Sequence, residues 1–383
     1  MRILVSAALI VCAPFASLAQ AQKPFLPAGT KETDGLKSAT LRRAPTGSRD
    51  RPQFLSVTVL PDHGMDIFQI TADLPGQGET QLLASPSLSE AARKINQADA
   101  VPWSYASYGF GAAILLPWAS RISGAVSPVD NTLLVDWRGR QLKLRANSSG
   151  KYAVHGLIEQ AHVENLQTTT KAGTQSITGI LHAGDFGGHW LSSTDVRFTI
   201  ALGKDSLDVK VEAMNVGTQS EPIAVGWHPY FALPGHDRAR ARLYVAAQRY
   251  AETIPSDGLT TGVLLETKDS SFDFLNAQGS PLPYVSMNVN FSGLNRKGCV
   301  ARLIDATSNY GLCIRAVSPA IHTVQVYSPK DASFVAIEPQ FNFPDPLGKE
   351  WGGMETGLET LAPSLTAVWH VRLELFTPQR TSK

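Results

Sequence analysis

Apolar and polar residues alternate along much of the chain from about residue 54 onward. In residues 196–202 nearly every second position is apolar, a turn-forming run (GKDS) follows at 203–206, and the alternation resumes over residues 207–211. A period of two with an intervening turn predicts a β-hairpin that buries one face. The same pattern predicts a second hairpin over residues 133–144 and a strand over residues 371–375.

Helical signals are scarce by comparison. Ser87 and Glu90 have the spacing of a capping box in front of two alanines, which predicts a helix from Ser87 to Ile95. The chain also contains 31 glycines and 24 prolines, which suits many short strands joined by turns. We therefore predict an all-β fold, a large antiparallel β-sandwich.

The N-terminal region differs from this strand-rich part. An early arginine precedes an apolar stretch that ends in Ala-Gln-Ala, a pattern typical of a secretory signal peptide at residues 1–21. The residues that follow lack apolar periodicity, so we predict a mobile N-terminal arm at 22–51 and one domain at 52–378. We expect an exported protein, periplasmic or secreted, without a membrane anchor.

Composition narrows the class of partner. The formal net charge is +1 and only 17% of the residues are charged, which gives no basic patch for nucleic acid. We therefore expect a small neutral partner and no nucleic acid. Cys299 and Cys313 both lie in strand-like runs, and this placement suits a disulfide and two buried thiols equally well.

Two apolar runs each end in an ionisable residue followed by proline. One run ends at His228-Pro229, and the other ends at Glu338-Pro339 about a hundred residues later. Because proline has no N–H to donate to the hydrogen bonds of a sheet, we predict that both side chains lie at strand ends, where functional residues are common. An apolar surround would raise the pKa of Glu338, which suits proton transfer. The alternatives are a structural histidine at a sheet rim and a carboxylate paired with an arginine.

The segments around these two residues resemble motifs of a known family. Residues 226–233 (GWHPYFAL) are similar to the His-x-Tyr-Phe-Asn-Leu signature of the aldose 1-epimerases, also called galactose mutarotases. Residues 337–340 (IEPQ), followed by 343–345 (FPD), resemble the glutamate motif of the same family.

Two further segments agree in order along the chain. Residues 116–122 (LPWASRI) resemble the family's Pro-Phe-Ala-Asn-Arg-Ile segment, and His155-Gly156 resembles its His-Gly segment. The similarity extends from about Leu55 to Phe376. It implies the large antiparallel supersandwich of that family.

The resemblance also implies an isomerase that needs no cofactor and no metal. Glu338 as a carboxylate would take the proton of the C1 hydroxyl of a sugar, and His228 as an imidazolium would protonate the ring oxygen. The ring would then open and close on its other face. The implied substrate is a free aldose such as glucose or galactose.

Other residues would bind that sugar by the same resemblance. Arg121 and His155 would bind its hydroxyls, and Gln340 belongs to the glutamate motif. Trp118, Trp227 or Tyr230 would stack on the apolar face of the ring.

One segment departs from the family pattern. Residues 287–294 (MNVNFSGL) resemble the family's Leu-Asp-x-x-Phe-x-Gly-Leu segment, but Asn288 stands where the aspartate binds sugar hydroxyls. An amide lacks the charge-assisted acceptors of a carboxylate, so we expect weaker binding of the sugar.

Three other functions remain alternatives. The hexose-6-phosphate mutarotases share much of the signature, and a carbohydrate-binding protein without turnover could keep the same cleft. A glycoside hydrolase needs two opposed carboxylates, and Asp185 is the partner that the sequence offers to Glu338.

Overall fold

The computed structural model describes residues 25–46, 50–99, 109–130, 132–256 and 258–378. The predicted signal peptide at residues 1–21 lies outside these ranges. Within them, no helix combines the length and the hydropathy that are needed to cross a membrane.

The described residues form one α-helix, α1 (Leu88–Asp99), and a long series of strands. In chain order the strands are β1 (Phe25–Thr33), β2 (Leu36–Arg43), β3 (Gln53–Leu60), β4 (Asp66–Leu74), β5 (Gly78–Gln81), β6 (Ala112–Leu115), β7 (Arg121–Ile122), β8 (Ala125–Val126), β9 (Thr132–Trp137), β10 (Arg140–Arg145), β11 (Ala153–Val154), β12 (Glu164–Lys171), β13 (Thr174–Gly184), β14 (Thr194–Leu202), β15 (Ser206–Asn215), β16 (Glu221–Ile223), β17 (Gly226–Ala232), β18 (Ala241–Val245), β19 (Ala247–Thr253), β20 (Thr260–Glu266), β21 (Ser280–Pro281), β22 (Met287–Leu294), β23 (Ala301–Asp305), β24 (Tyr310–Ala316), β25 (Thr323–Ser328), β26 (Phe334–Gln340), β27 (Glu359–Leu361) and β28 (Thr366–Phe376).

Two large sheets dominate the architecture. One has nine strands in the order β12-β13-β14-β15-β28-β24-β23-β18-β21, and the other has seven in the order β20-β19-β22-β25-β26-β17-β6. The strand pairs within both sheets are antiparallel, as in the pairs β14·β15 and β25·β26. The prediction of an all-β fold with a large antiparallel sandwich is confirmed.

The apolar alternation produces the elements that it predicts. β14 and β15 form the predicted hairpin, and β14 buries every second residue. β9 and β10 form the second predicted hairpin. Helix α1 lies where the capping box predicts it, because the N–H of Glu90 donates to the Ser87 hydroxyl at 3.2 Å.

A buried tryptophan pair joins the two large sheets. The rings of Trp227 on β17 and Trp369 on β28 meet edge to face, with centroids 6.3 Å apart. The Nε1 of Trp369 also donates to the carbonyl of Pro339 on β26 at 3.2 Å. The core therefore lies between these sheets and fixes the positions of β17 and β26.

The prediction of a mobile arm at residues 22–51 is wrong for residues 25–43. β1 and β2 belong to a five-stranded sheet in the order β1-β2-β3-β4-β5. β2 lies between two other strands and buries Leu36, Leu41 and Arg43, and the Arg43 guanidinium donates to the carbonyl of Phe54 at 3.1 Å. Polar residues that become buried by pairing with β3 leave no apolar period in the sequence.

The segment after this sheet completes the edge of β17. The N–H of Ala84 donates to the carbonyl of Tyr230 at 2.8 Å, and the N–H of Ala232 donates to the carbonyl of Leu82 at 2.9 Å.

The structure also answers the open question about the two cysteines. Cys299 and Cys313 form a disulfide, with Cα atoms 5.4 Å apart. Cys313 lies on β24, which is next to the central strand β28 of the nine-stranded sheet, and Cys299 lies just before β23.

Candidate active site

His228 and Glu338 face each other on adjacent strands of the seven-stranded sheet. The register of β17 and β26 pairs Gly226 with Gln340 and Tyr230 with Ala336, which places His228 opposite Glu338. The Nε2 of His228 lies 3.4 Å from the Oε1 of Glu338, and both side chains are almost fully buried.

Both strands continue through their prolines, so the prediction that these residues stand at strand ends is wrong. β17 extends to Ala232 and β26 to Gln340. Pro229 has no N–H to donate, and it lies within the stretch between the paired residues Gly226 and Tyr230. The proline therefore falls beside the histidine without ending the strand.

The facing pair belongs to a longer row of polar side chains across four adjacent strands. Asn290 on β22 pairs with Gln325 on β25, Gln325 pairs with Glu338 on β26, and His228 on β17 follows. Residues in register across neighbouring strands project from the same face of a sheet. All four are less than 9% exposed, so the row is a buried polar strip in an otherwise apolar sheet.

A cavity of about 270 Å³ lies over this row. It is lined by all four residues of the row and by four of the other predicted site residues: Arg121, His155, Tyr230 and Asn288. Within the described part of the chain, no group of three or more His, Cys, Asp or Glu is arranged to hold a metal ion.

A small two-stranded sheet positions Arg121 and His155. β7 and β11 pair Arg121 with Val154, and His155 directly follows β11, so this pairing brings His155 close to Arg121. His155 has a φ of +64° and Gly156 a φ of +85°. A Cβ atom on Gly156 would lie 2.1 Å from the carbonyl oxygen of Leu116, so only glycine fits after this histidine. The His155 ring lies edge to face with that of His228, with centroids 5.1 Å apart.

Burial controls the electrostatics of the facing pair. It raises the pKa of Glu338 well above its ordinary value and lowers the pKa of His228 to about 4. Both directions favour neutral side chains, whereas the resemblance implies a carboxylate and an imidazolium. Attraction between the ionised forms at 3.4 Å opposes the effect of burial. In either arrangement the pair holds one proton in total.

His155 is also held as a neutral imidazole. Burial is the main cause that lowers its pKa well below the ordinary value, and the nearby His228 and Arg121 lower it further. A neutral imidazole offers one donor and one acceptor nitrogen, which suits a hydroxyl that both accepts and donates.

Three predicted substrate contacts, Trp118, Trp227 and Gln340, do not line the cavity. Trp227 is fully buried between the sheets, where its Nε1 donates to the carbonyl of Ala112 at 2.9 Å. As the neighbour of His228 on one strand, it projects from the opposite face, so it cannot stack on a ligand beside His228. Gln340 is also fully buried, and its Nε2 donates to the Ser120 hydroxyl at 3.3 Å and to the carbonyl of Asn342 at 3.1 Å.

Tyr230 and Asn288 do line the cavity. The rings of Tyr230 and His228 have centroids 4.6 Å apart and planes 31° apart. The Oδ1 of Asn288 accepts a hydrogen bond of 2.6 Å from the Nε2 of Gln325.

Gln325 and Asn290 are lining residues that the sequence analysis missed. In residues 323–328 (TVQVYS), Gln325 stands between two valines and therefore projects from the opposite face of its strand. Asn290 follows Asn288 by two positions, so both project from the same face of β22. Polar residues at a period of two inside apolar runs were therefore the available signal.

The chain matches one protein family over most of its length. The family described as aldose 1-epimerase matches residues 93–362. The chain belongs to the aldose 1-epimerase family. The match contains all the predicted site residues, whereas strands β1 to β5 precede it.

Other proteins are similar to this chain in sequence or in fold. The uncharacterized protein YphB of Escherichia coli (strain K12) is 26% identical over 272 residues, which cover 68% of this chain and 82% of YphB. A galactose mutarotase-like protein from Clostridium acetobutylicum superimposes with a TM-score of 0.73 at 16% identity, covering 92% of this chain and 99% of that one. Galactose 1-epimerase from Lactobacillus acidophilus NCFM gives a TM-score of 0.65 at 15% identity, covering 92% and 100%. The two solved structures share the fold.

Proposed function

We propose that this protein interconverts the α and β anomers of a free, unphosphorylated aldose. The observation that carries the proposal is the buried pair of His228 and Glu338, 3.4 Å apart in a cavity lined by polar side chains. Interconversion of anomers needs one acid and one base, and this pair supplies both with a single shared proton.

The reaction is a ring opening and closure without net loss of a proton. Glu338 accepts the proton of the C1 hydroxyl while His228 donates one to the ring oxygen, and the bond between C1 and the ring oxygen breaks. Rotation about the bond between C1 and C2 presents the other face of the aldehyde. The two residues then reverse their roles as the ring closes. Each proton transfer contributes about 10²–10⁴-fold to the rate.

The lining residues orient the sugar over this pair. Arg121 supplies hydrogen-bond donors, His155 supplies a donor and an acceptor, and Asn288 supplies an amide. Tyr230 lies beside His228 and offers an aromatic face to the apolar side of the ring.

Two features favour a free aldose over other carbohydrate chemistry. Of the described residues that line the cavity, only Arg121 carries a fixed positive charge, whereas a phosphate group calls for clustered basic groups or a helix N-terminus. Glu338 is the only carboxylate among the same residues, and Asp185 is exposed and accepts from the N–H of Gly188 in its own loop. A hydrolase with two opposed carboxylates is therefore disfavoured.

We also propose that the protein is exported, periplasmic or secreted. The sequence pattern of residues 1–21 supports this location, and the disulfide between Cys299 and Cys313 suits an oxidising compartment. Cell fractionation with N-terminal sequencing of the mature chain tests it, and recovery of an uncleaved chain in the cytoplasm would refute it.

Polarimetry tests the proposed activity. Freshly dissolved α-D-glucose and α-D-galactose should reach their equilibrium rotation faster with the purified protein than without it. Glucose 6-phosphate under equal conditions distinguishes the phosphate-specific alternative. A sugar that binds without any change in the rate of mutarotation would establish a binding protein instead.

A further inference from the structure

The polar row contains buried atoms that lack hydrogen-bond partners. They are Oδ1 and Nδ2 of Asn290, Oε1 of Gln325 and Oε2 of Glu338, and none has a partner among the described residues. Buried polar atoms are normally paired, because an unpaired one bears the full cost of its desolvation. Four such atoms on three adjacent strands indicate a place for polar groups that a ligand supplies.

Asn290 differs from the other asparagine of its strand. It is 2% exposed and lines the cavity, yet neither end of its amide is bonded, whereas the Oδ1 of Asn288 accepts from Gln325. An amide presents donor hydrogens at one end and an acceptor at the other, in one plane. Two neighbouring hydroxyl groups match this arrangement, because one can accept from Nδ2 while the other donates to Oδ1.

The spacing of the row suits the far side of one sugar ring. Two strand intervals of about 4.8 Å each separate Asn290 from Glu338. The resulting separation of about 10 Å accommodates one sugar ring with a hydrogen bond at each end. A pyranose whose C1 hydroxyl is bound by Glu338 therefore reaches Asn290 with its far side.

We propose that Asn290 is a specificity-determining residue that binds two adjacent hydroxyls of the aldose on the side of the ring remote from C1. The inference rests on the proposed function and narrows the substrate class. The preferred aldose carries two free neighbouring hydroxyls at that side. Sugars that are deoxygenated or substituted there are poorer substrates.

The test compares the wild-type protein with Asn290→Ala on glucose and on each of its monodeoxy analogues. For glucose, the substitution should lower kcat/KM roughly tenfold, mainly through KM. For an analogue that lacks a contacted hydroxyl, the wild-type protein is already impaired and the substitution should have little further effect. An equal loss on glucose and every analogue, or no loss on glucose, would overturn the inference.

A matched control separates substrate binding from structure. Asn342 is fully buried, but its amide is bonded: Nδ2 donates to the carbonyls of Ala119 and Phe343, both at 2.8 Å, and Oδ1 accepts from the N–H of Ala119 at 3.0 Å. Asn342→Ala should therefore lower the melting temperature, whereas Asn290→Ala should leave it unchanged or raise it. If both variants lose the same stability, Asn290 has a structural role and the inference fails.

The wild-type measurement distinguishes this failure from failure of the proposed function. Wild-type protein that turns over no aldose refutes the epimerase proposal, and calorimetric binding of glucose then tests Asn290 alone. Weaker binding by Asn290→Ala would support the contact. Equal binding by the two proteins, or no binding by the wild type, would overturn it.

Discussion

Asn288 accepts a hydrogen bond from Gln325, and Gln325 is the strand neighbour of Glu338. Gln325 thus lies between an exposed amide on β22 and the carboxyl group that is proposed to move the proton, but its Oε1 and the Oε2 of Glu338 have no hydrogen-bond partner among the described residues. Because the hydrogen bond of Asn288 does not continue to Glu338 within these residues, a change at Asn288 should alter sugar binding and leave the proton transfer unaffected.

Asn288→Asp should lower KM several-fold for at least one aldose, with kcat little changed. The carboxylate keeps an acceptor for Gln325 and adds a charge-assisted hydrogen bond to a sugar hydroxyl, worth about 1 kcal/mol. Steady-state polarimetry on epimeric aldoses measures both constants. Asn288→Ala is the matched control and should raise KM. Loss of turnover in Asn288→Asp, or no effect with any aldose, would contradict the assigned position of this residue.

Glu338→Gln and His228→Asn should each lower kcat by about 10²–10⁴-fold. Each change removes one proton carrier while keeping a polar side chain of similar shape, so the fold should remain intact. Circular dichroism and thermal unfolding serve as the control for folding. Near-wild-type turnover by either variant would refute the proposed roles.

The pH profile of kcat/KM should be bell-shaped with a broad plateau. Activity requires the pair to hold one proton. It is lost on the acid side as pH falls through the lower pKa, which burial moves down to about 4 at His228. It is lost on the alkaline side as pH rises through the upper pKa, which burial of Glu338 raises. After subtraction of the uncatalysed rate, a narrow optimum confined between the ordinary values of 4.5 and 6.5 would contradict this account.

Glu221 should make the protein less stable as pH rises from about 4.5 to about 7. It is fully buried on β16, where Oε1 accepts from the Thr194 hydroxyl at 2.8 Å and burial raises its pKa from 4.5 to about 7. The unfolded state loses this proton at a lower pH than the folded state, so stability falls between these two values, by up to about 3 kcal/mol. Glu221→Gln should be more stable than the wild type at pH about 8 and similar at pH about 4. Urea unfolding at both pH values measures this, and an unchanged difference between the proteins would count against it.

The sequence predicted strands well because burial on one face of a strand leaves a direct trace. In β14 and β15 the apolar residues at alternate positions are buried, so the alternation of apolar and polar residues within each strand reveals which face is buried. The sequence predicted His228 and Glu338 as partners through two motifs far apart in the chain, and the register of β17 and β26 places these residues opposite each other.

The face of Trp227 could have been predicted from the sequence, because adjacent residues on one strand project from opposite faces and so Trp227 and His228 cannot both line one cavity. The burial of two other residues depends on contacts that no local pattern shows. The burial of Arg43 depends on a carbonyl of β3, which no local pattern records. Gln340 projects from the same face of β26 as Glu338, but its amide is bonded to the Ser120 hydroxyl, which comes from a distant part of the chain, and to the nearby carbonyl of Asn342.

The family match begins at residue 93, whereas the hydrogen bonds that flank β17 begin earlier, at Leu82 and Ala84. The strand that carries His228 is therefore completed by backbone that lies outside the residues matched by the family. A fragment trimmed to the homologous region would contain every residue of the proposed chemistry, and it would expose unpaired N–H and carbonyl groups directly beside the histidine on which that chemistry depends.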